Sequence, residues 1–141
     1  PDLAATYNNI GLVYGNKGEY DNALEYYNKA REIWEKVLDP LHPNLAVIYN
    51  NIGWLYSNVG QYDKALEYYI RAQNIEEQVL DPMHPDLAMT YSTIGLLYFG
   101  AMEPDKCLVY LEKAKVIFEK NNDPQAQELK AIIEEIKTMQ R

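Results

Sequence analysis

Tyr49-Asn50-Asn51-Ile52-Gly53-Trp54-Leu55-Tyr56 decides how this chain is read, because nearly the same octet stands at Tyr7 to Tyr14 and a looser copy at Tyr91 to Tyr98. The local sequence thus returns at a spacing of 42 residues, from Tyr7 to Tyr49 and again to Tyr91. Fixed-period self-similarity marks a chain built from stacked copies of one supersecondary unit. The first two copies agree at about 26 of 42 aligned positions, too many for chance. The third keeps Tyr91, Ile94, Gly95, Tyr98, Leu108, Ala114 and Ile117, but carries Met102 in place of the turn glycine, Pro104 in place of the turn tyrosine and Cys107 in place of a small Ala.

Outward from the octet, apolar residues recur at helical spacing. Leu3, Tyr7, Ile10, Leu12, Val13 and Tyr14 predict a first helix from Asp2 to about Asn16. Pro1 suits the first helical position and Asp2 the positive end of the helix dipole. Gly18 can take the positive φ that ends it. A second amphipathic segment, about Asp21 to Leu38, places Ala23, Leu24, Tyr27, Ala30, Ile33, Trp34, Val37 and Leu38 on its apolar side. Asp39-Pro40-Leu41-His42-Pro43 stops it, since proline cannot continue the ladder and biases its predecessor away from the α region. The pair returns as Asn44 to Asn58 and Asp63 to Leu80, closed by Asp81-Pro82-Met83-His84-Pro85. In the third copy the first helix is expected to end near Gly100, and its turn to differ from the other two. A last helix follows, about Gln125 to Gln140, with Asp123 as N-cap, Pro124 in the first turn, and Ala126, Leu129, Ile132, Ile133, Ile136 and Met139 as its apolar stripe.

The 141 residues are 48% hydrophobic, enough for a core. A formal net charge of −8 speaks against nucleic acid or an anionic membrane as the main partner. Cys107 is the single cysteine, so no internal disulfide framework exists and a cytoplasmic setting is expected. No run reaches the roughly 18 to 20 apolar residues of a membrane span. The start at Pro1-Asp2-Leu3-Ala4 matches Pro43-Asn44-Leu45-Ala46 and Pro85-Asp86-Leu87-Ala88, which reads as a cut inside a longer array.

In the second copy, Tyr49, Ile52, Gly53, Tyr56, Ala65, Tyr69 and Ala72 resemble the tetratricopeptide repeat, and three units in this order extend over about residues 1 to 124. Gly53 and Ala65 are small where two antiparallel helices touch, while Tyr49, Tyr56 and Tyr69 are expected to fill the spaces between successive pairs. The 42-residue period is longer than the family's usual length of about 34, a variety similar to kinesin light chain repeats. The resemblance implies an all-α, right-handed superhelical solenoid of three antiparallel helix pairs plus a C-terminal capping helix. It forms a single domain, residues 1–141, with units 1–42, 43–84 and 85–123 and the cap at 124–140.

The resemblance further implies a concave groove lined by first-helix residues left over from packing. These are Ala5, Asn8, Asn9, Leu12 and Asn16; Val47, Asn50, Asn51, Trp54, Ser57 and Asn58; and Met89, Ser92, Thr93, Leu96 and Phe99. None is charged, so the groove is neutral and amide-rich. An asparagine ladder can pair with the backbone of an extended peptide, and mid-helix Asn is a poor helix former that recurs for a reason. The bland alternative is that these Asn face solvent or tie neighbouring first helices together. Trp54 replaces a Leu and is read either as a groove anchor or as packing; Trp34 is read as packing. A clamp for acidic C-terminal tails known in the family would need basic residues where Asn8, Met89 and Thr93 stand, although Asn51 fits its asparagine.

No chemistry is expected elsewhere. His42 and His84 occupy equivalent loops without a third ligand at metal spacing, which suits capping, and no metal or cofactor is implied. Cys107 reads as a packing residue, and Glu76, Glu77, Glu134 and Glu135 as solvated faces. With no nucleophile motif or phosphate loop, the chain is read as a non-enzymatic module that binds a protein or peptide partner, without nucleic acid or membrane. The alternative is a structural segment of a longer array that self-associates through exposed repeat ends.

Overall fold

A computed structural model describes residues 2–140, so the reading of Pro1 lies outside the described residues. Among these residues there are seven α-helices and no strand: α1 (Leu3–Asn16), α2 (Tyr20–Val37), α3 (Pro43–Asn58), α4 (Tyr62–Val79), α5 (Pro85–Gly100), α6 (Pro104–Lys120) and α7 (Gln125–Met139). The three antiparallel pairs are α1/α2, α3/α4 and α5/α6, and α7 packs on α6. Helix contacts divide the chain into two compact units, Pro1–Val79 and Leu80–Arg141. None of the helices is long and apolar enough to cross a membrane.

The first unit buries Ala23, Tyr27, Ala30 and Trp34 of α2 with Leu45, Ile48, Ile52 and Leu55 of α3 and Ala72 and Ile75 of α4. In the second, Leu87 and Tyr91 of α5 meet Cys107, Leu111, Ala114 and Phe118 of α6 and Ala126, Leu129, Ile133 and Ile136 of α7. At roughly 25 cal/mol per Å² of apolar surface removed from water, such clusters are the main term holding helices this short together.

Each pair closes on one contact. A Cβ placed on Gly11 would lie 2.5 Å from the Tyr27 ring, and one on Gly53 would lie 2.9 Å from Tyr69. On Gly95 it would meet Leu111, also at 2.9 Å. Tyr69 therefore lies on the glycine of its own pair, as Tyr27 does in the first. The adjacent tyrosine of each second helix does something else: Tyr26 stacks on Tyr14 and meets Tyr7, Tyr68 stacks on Tyr56 and meets Tyr49, and Tyr110 stacks on Tyr98 and meets Tyr91. A cation lies over each trio, Lys29, Arg71 or Lys113, between 5.0 and 5.7 Å from the ring centres.

The loops do what the histidines suggested. His42 Nδ1 accepts the Asn44 amide and His84 Nδ1 the Asp86 amide, each at 3.0 Å, so both imidazoles cap the helix that follows. Asp39 and Asp81 accept the amides of Leu41 and Met83 two residues on. Asp123 accepts the Gln125 amide ahead of α7, with Pro124 already helical.

Three sequence expectations fail. The third turn does not differ in shape: Met102 takes φ 65° where Gly18 and Gly60 take 80° and 79°, and Glu103 donates to Tyr98 O as Glu19 does to Tyr14 O and Gln61 to Tyr56 O. Val37 and Met139, placed on apolar stripes, are exposed, each being the last residue of its helix. Glu76 is buried, not solvated, since it takes the core position that Trp34 holds one repeat earlier.

Candidate functional site

Along α1 the residues at successive turns of one face are Ala5, Asn9, Leu12 and Asn16, and along α3 they are Val47, Asn51, Trp54 and Asn58. All are exposed or half-buried, so polar and large apolar groups alternate along each helix. In α5, within the second unit, the same register gives Met89, Thr93 and Leu96, with Phe99 beside them and also exposed.

In the first unit these side chains converge. Leu12, Gly15, Asn16, Tyr27, Asn51 and Trp54 line an open pocket of about 340 Å³. Trp54 is 41% exposed, its ring edge-on to Tyr20 with centroids 6.1 Å apart. Its indole reaches over Gly15, where an added Cβ would meet it at 3.5 Å. The indole is thus packed on one edge and open on the other, combining both readings of its sequence position. Burial pushes the Tyr27 phenol up to about 12, so the pocket floor is uncharged at neutral pH.

The asparagines divide their roles. Asn51 Nδ2 donates to Asn8 Oδ1 at 2.9 Å and so links α3 to α1. Asn8 is buried by this arrangement, while Asn9 and Asn16 are exposed. Asn50 is half-buried, and its Oδ1 is enclosed without a hydrogen-bond partner, as is the Ser92 Oγ at the same repeat position. Asn58 Nδ2 and Ser57 Oγ both donate to the Trp54 carbonyl, at 2.8 and 2.7 Å, tying the end of α3 beneath the indole. Thr93 donates to Met89 O one turn earlier in α5.

A feature that sequence reading missed joins the first two repeats. Tyr49 donates its hydroxyl proton to Glu35 Oε2 at 2.7 Å, and Arg31 pairs with the same carboxylate at 3.0 Å. Burial, with this hydrogen bond to a carboxylate, raises the Tyr49 phenol to about 12. The recurrence of Tyr7, Tyr49 and Tyr91 beside Glu35 and Glu77 was the available signal. Among the described residues no group of His, Cys, Asp and Glu is arranged to hold a metal ion. The thiol of Cys107 is free and buried, and burial raises its pKa.

Comparison with known proteins adds three kinds of likeness. The family model for the tetratricopeptide repeat matches residues 2–75 and 56–120. Protein HGV2 of Halocynthia roretzi is 48% identical over 40 residues, a segment that is 28% of this chain and 8% of that protein. A putative kinesin light chain of Podosopora anserina with nearly identical repeats superposes with a TM-score of 0.80 at 18% identity, over 94% of this chain and 64% of that one. The first such domain of Spaghetti (RPAP3), solved with the HSP90 peptide SRMEEVD, superposes with a TM-score of 0.71 at 18% identity, over 97% of this chain and 92% of that one.

Proposed function

Because the chain belongs to the tetratricopeptide-repeat family, we propose that it is a non-enzymatic interaction module that takes an extended peptide against its first helices. The observation that carries this reading is the pocket beneath Trp54. A half-open indole, an exposed Leu12 and the amides of Asn16 and Asn51 surround an uncharged floor. Such a surface suits an apolar side chain flanked by peptide backbone, with the amides supplying donors and acceptors on either side. The exposed stripe of α5, with Met89, Thr93 and Leu96, offers the second unit a face of the same kind. The Spaghetti domain, similar in fold, was solved with a bound HSP90 peptide, which supports the reading. A cytoplasmic setting is part of the reading, supported by the lone free thiol.

Selection from a random-sequence peptide display library tests it. Selected peptides should shift the emission of Trp54, and Trp54→Ala should weaken them about tenfold or more, as loss of an interface hot spot does. Asn16→Asp should weaken them too, with the melting temperature nearly unchanged. Binders indifferent to both substitutions would defeat the proposal.

One observation favours the second reading. Leu3 and Val13 of α1 are 58% and 54% exposed, whereas Leu45 and Leu55, their counterparts in α3, are buried. That edge of α1 would accept another helix, and self-association through it predicts sedimentation that depends on concentration and is abolished by Val13→Glu.

A further inference from the structure

The floor of the pocket beneath Trp54 carries a polar group that no other described residue engages. Tyr27 is only 2% exposed, its phenol is perturbed by burial alone, and its hydroxyl has no hydrogen-bond partner among the described residues. Tyr49, by contrast, spends its proton on Glu35. A buried polar group left unpaired is costly and calls for an explanation. Tyr27 lines the pocket together with Asn51, and a second free atom stands there: Asn51 gives its Nδ2 to Asn8, while its Oδ1 has no partner among the described residues. Asn16 lies exposed at the rim with its amide unengaged. The arrangement belongs to the first repeat. At the Gly15 position the later copies have Ser57 and Phe99, and the third has Leu111 in place of the tyrosine.

These groups specify a side chain. A peptide backbone level with the exposed Leu12 and Trp54 stays above a tyrosine this deeply buried, so a side chain must make the descent. An aliphatic one would exclude water from the Tyr27 hydroxyl and offer no hydrogen bond in exchange, which costs affinity. A carboxylate or ammonium would lose its water with no opposite charge among the lining residues. Serine and threonine are too short to reach the floor, and the phenolic oxygen of tyrosine, its lone pair shared with the ring, is a poor acceptor. A primary carboxamide supplies a strong acceptor for the Tyr27 and Asn16 donors and N–H groups for Asn51 Oδ1. Glutamine carries it on an apolar stem longer than that of asparagine.

We propose that this pocket takes a glutamine side chain of the bound peptide. Its stem lies between Leu12 and Trp54, its carboxamide oxygen accepts from the Tyr27 hydroxyl and the Asn16 amide, and its N–H donates to Asn51 Oδ1. The inference rests on the first-helix faces being a peptide site, and it names the residue that anchors the peptide there. The pocket, at about 340 Å³, has room for the whole side chain.

The test sets nonapeptide display libraries, identical but for a fixed central Gln, Met, Glu or Tyr, against the full 141-residue chain. The Gln library should yield the strongest binders, and these should shift the emission of Trp54. Exchanging the central Gln of a selected peptide for Met or Glu should raise its Kd about tenfold or more, as loss of hydrogen bonds does. Tyr27→Phe keeps the ring that packs on Gly11 and removes only the hydroxyl. It should bring the Gln and Met forms within about twofold of each other. In the unsubstituted chain the Tyr27 Cζ resonance should move with the Gln form and stay with the Met form, which decides the matter if the variant loses helicity. Trp54-shifting binders won equally well from another library, a Gln preference kept in folded Tyr27→Phe, or an unmoved Tyr27 Cζ would overturn the glutamine and leave the peptide site standing. Failure of every library to give a binder that perturbs Trp54 would overturn both.

Discussion

Glycine at two neighbouring positions of α1 illustrates how finely residue size is set. Gly11 lies under the Tyr27 ring with no room for a methyl group, while Gly15 faces Trp54 at ordinary contact distance. Gly11→Ala should therefore destabilise by about 1–3 kcal/mol, the usual cost of overpacking. Gly15→Ala should be neutral or stabilising by up to about 1 kcal/mol, from helix propensity. Thermal melts of the two variants side by side check this, and equal melting temperatures would refute it. The residue scale is also where sequence reading stopped short. Gly11 and Gly53 announced close helix contact, but not that a ring on the partner helix made it, because the two tyrosines in each second helix are adjacent and chemically alike. Only the direction of each side chain separates the one that sits on glycine from the one that stacks with Tyr7 and Tyr14. Glu76 misled for a related reason: its charge argued for solvent, while its repeat position, shared with Trp34, placed it inside.

At the scale of elements, the turns show tertiary packing overriding local preference. Met102 is held at φ 65° although a side chain there costs about 1–2 kcal/mol in the left-handed region. The flanking α5 and α6 fix the same turn that glycine makes in the other pairs, and Met102, 85% exposed, gains little burial in return. Met102→Gly should raise the melting temperature by a few degrees, and a lower one would show that Met102 is held by more than its neighbours' geometry. The helices themselves were legible to within a residue or two, because apolar spacing and the Pro-flanked loops both report on backbone alone. The candidate site was legible only as a register. Ala5, Asn9, Leu12 and Asn16 could be placed on one face from spacing, but the Asn51–Asn8 bond and the half-open Trp54 depend on how α3 lies against α1. Trp54's setting had a trace in the sequence, since Gly15 is replaced by Ser57 and Phe99 in the later copies.

For the molecule as a whole, buried phenols tie stability to alkaline pH. Tyr27 and Tyr69 are raised from 10.0 to about 12 by burial, and Tyr49 to about 12 by burial with the help of Glu35. These groups bind their protons more tightly when folded than unfolded. Their contribution is complete below pH 10 and is lost as pH rises toward 12. Unfolding should thus become progressively easier across that window, and absorbance at 295 nm should show these three phenols ionising last, together with loss of helical circular dichroism. Ionisation of all thirteen tyrosines near pH 10 with the helices intact would contradict this.

The contacts between the first two repeats have a consequence for how such a protein can change in length. Tyr49 and Asn51 of the second repeat donate to Glu35 and Asn8 of the first. The first repeat carries the same two donors as Tyr7 and Asn9, and the second carries Glu77 and Asn50 at the acceptor positions. Each of these two copies therefore bears both halves of the joint, one at each edge, and a head-to-tail joint of this kind sets no limit on copy number. A recombination event that duplicated 42 residues in frame would insert a repeat whose joints match on both sides, so that gene length can drift by whole repeats without the fold having to be rebuilt.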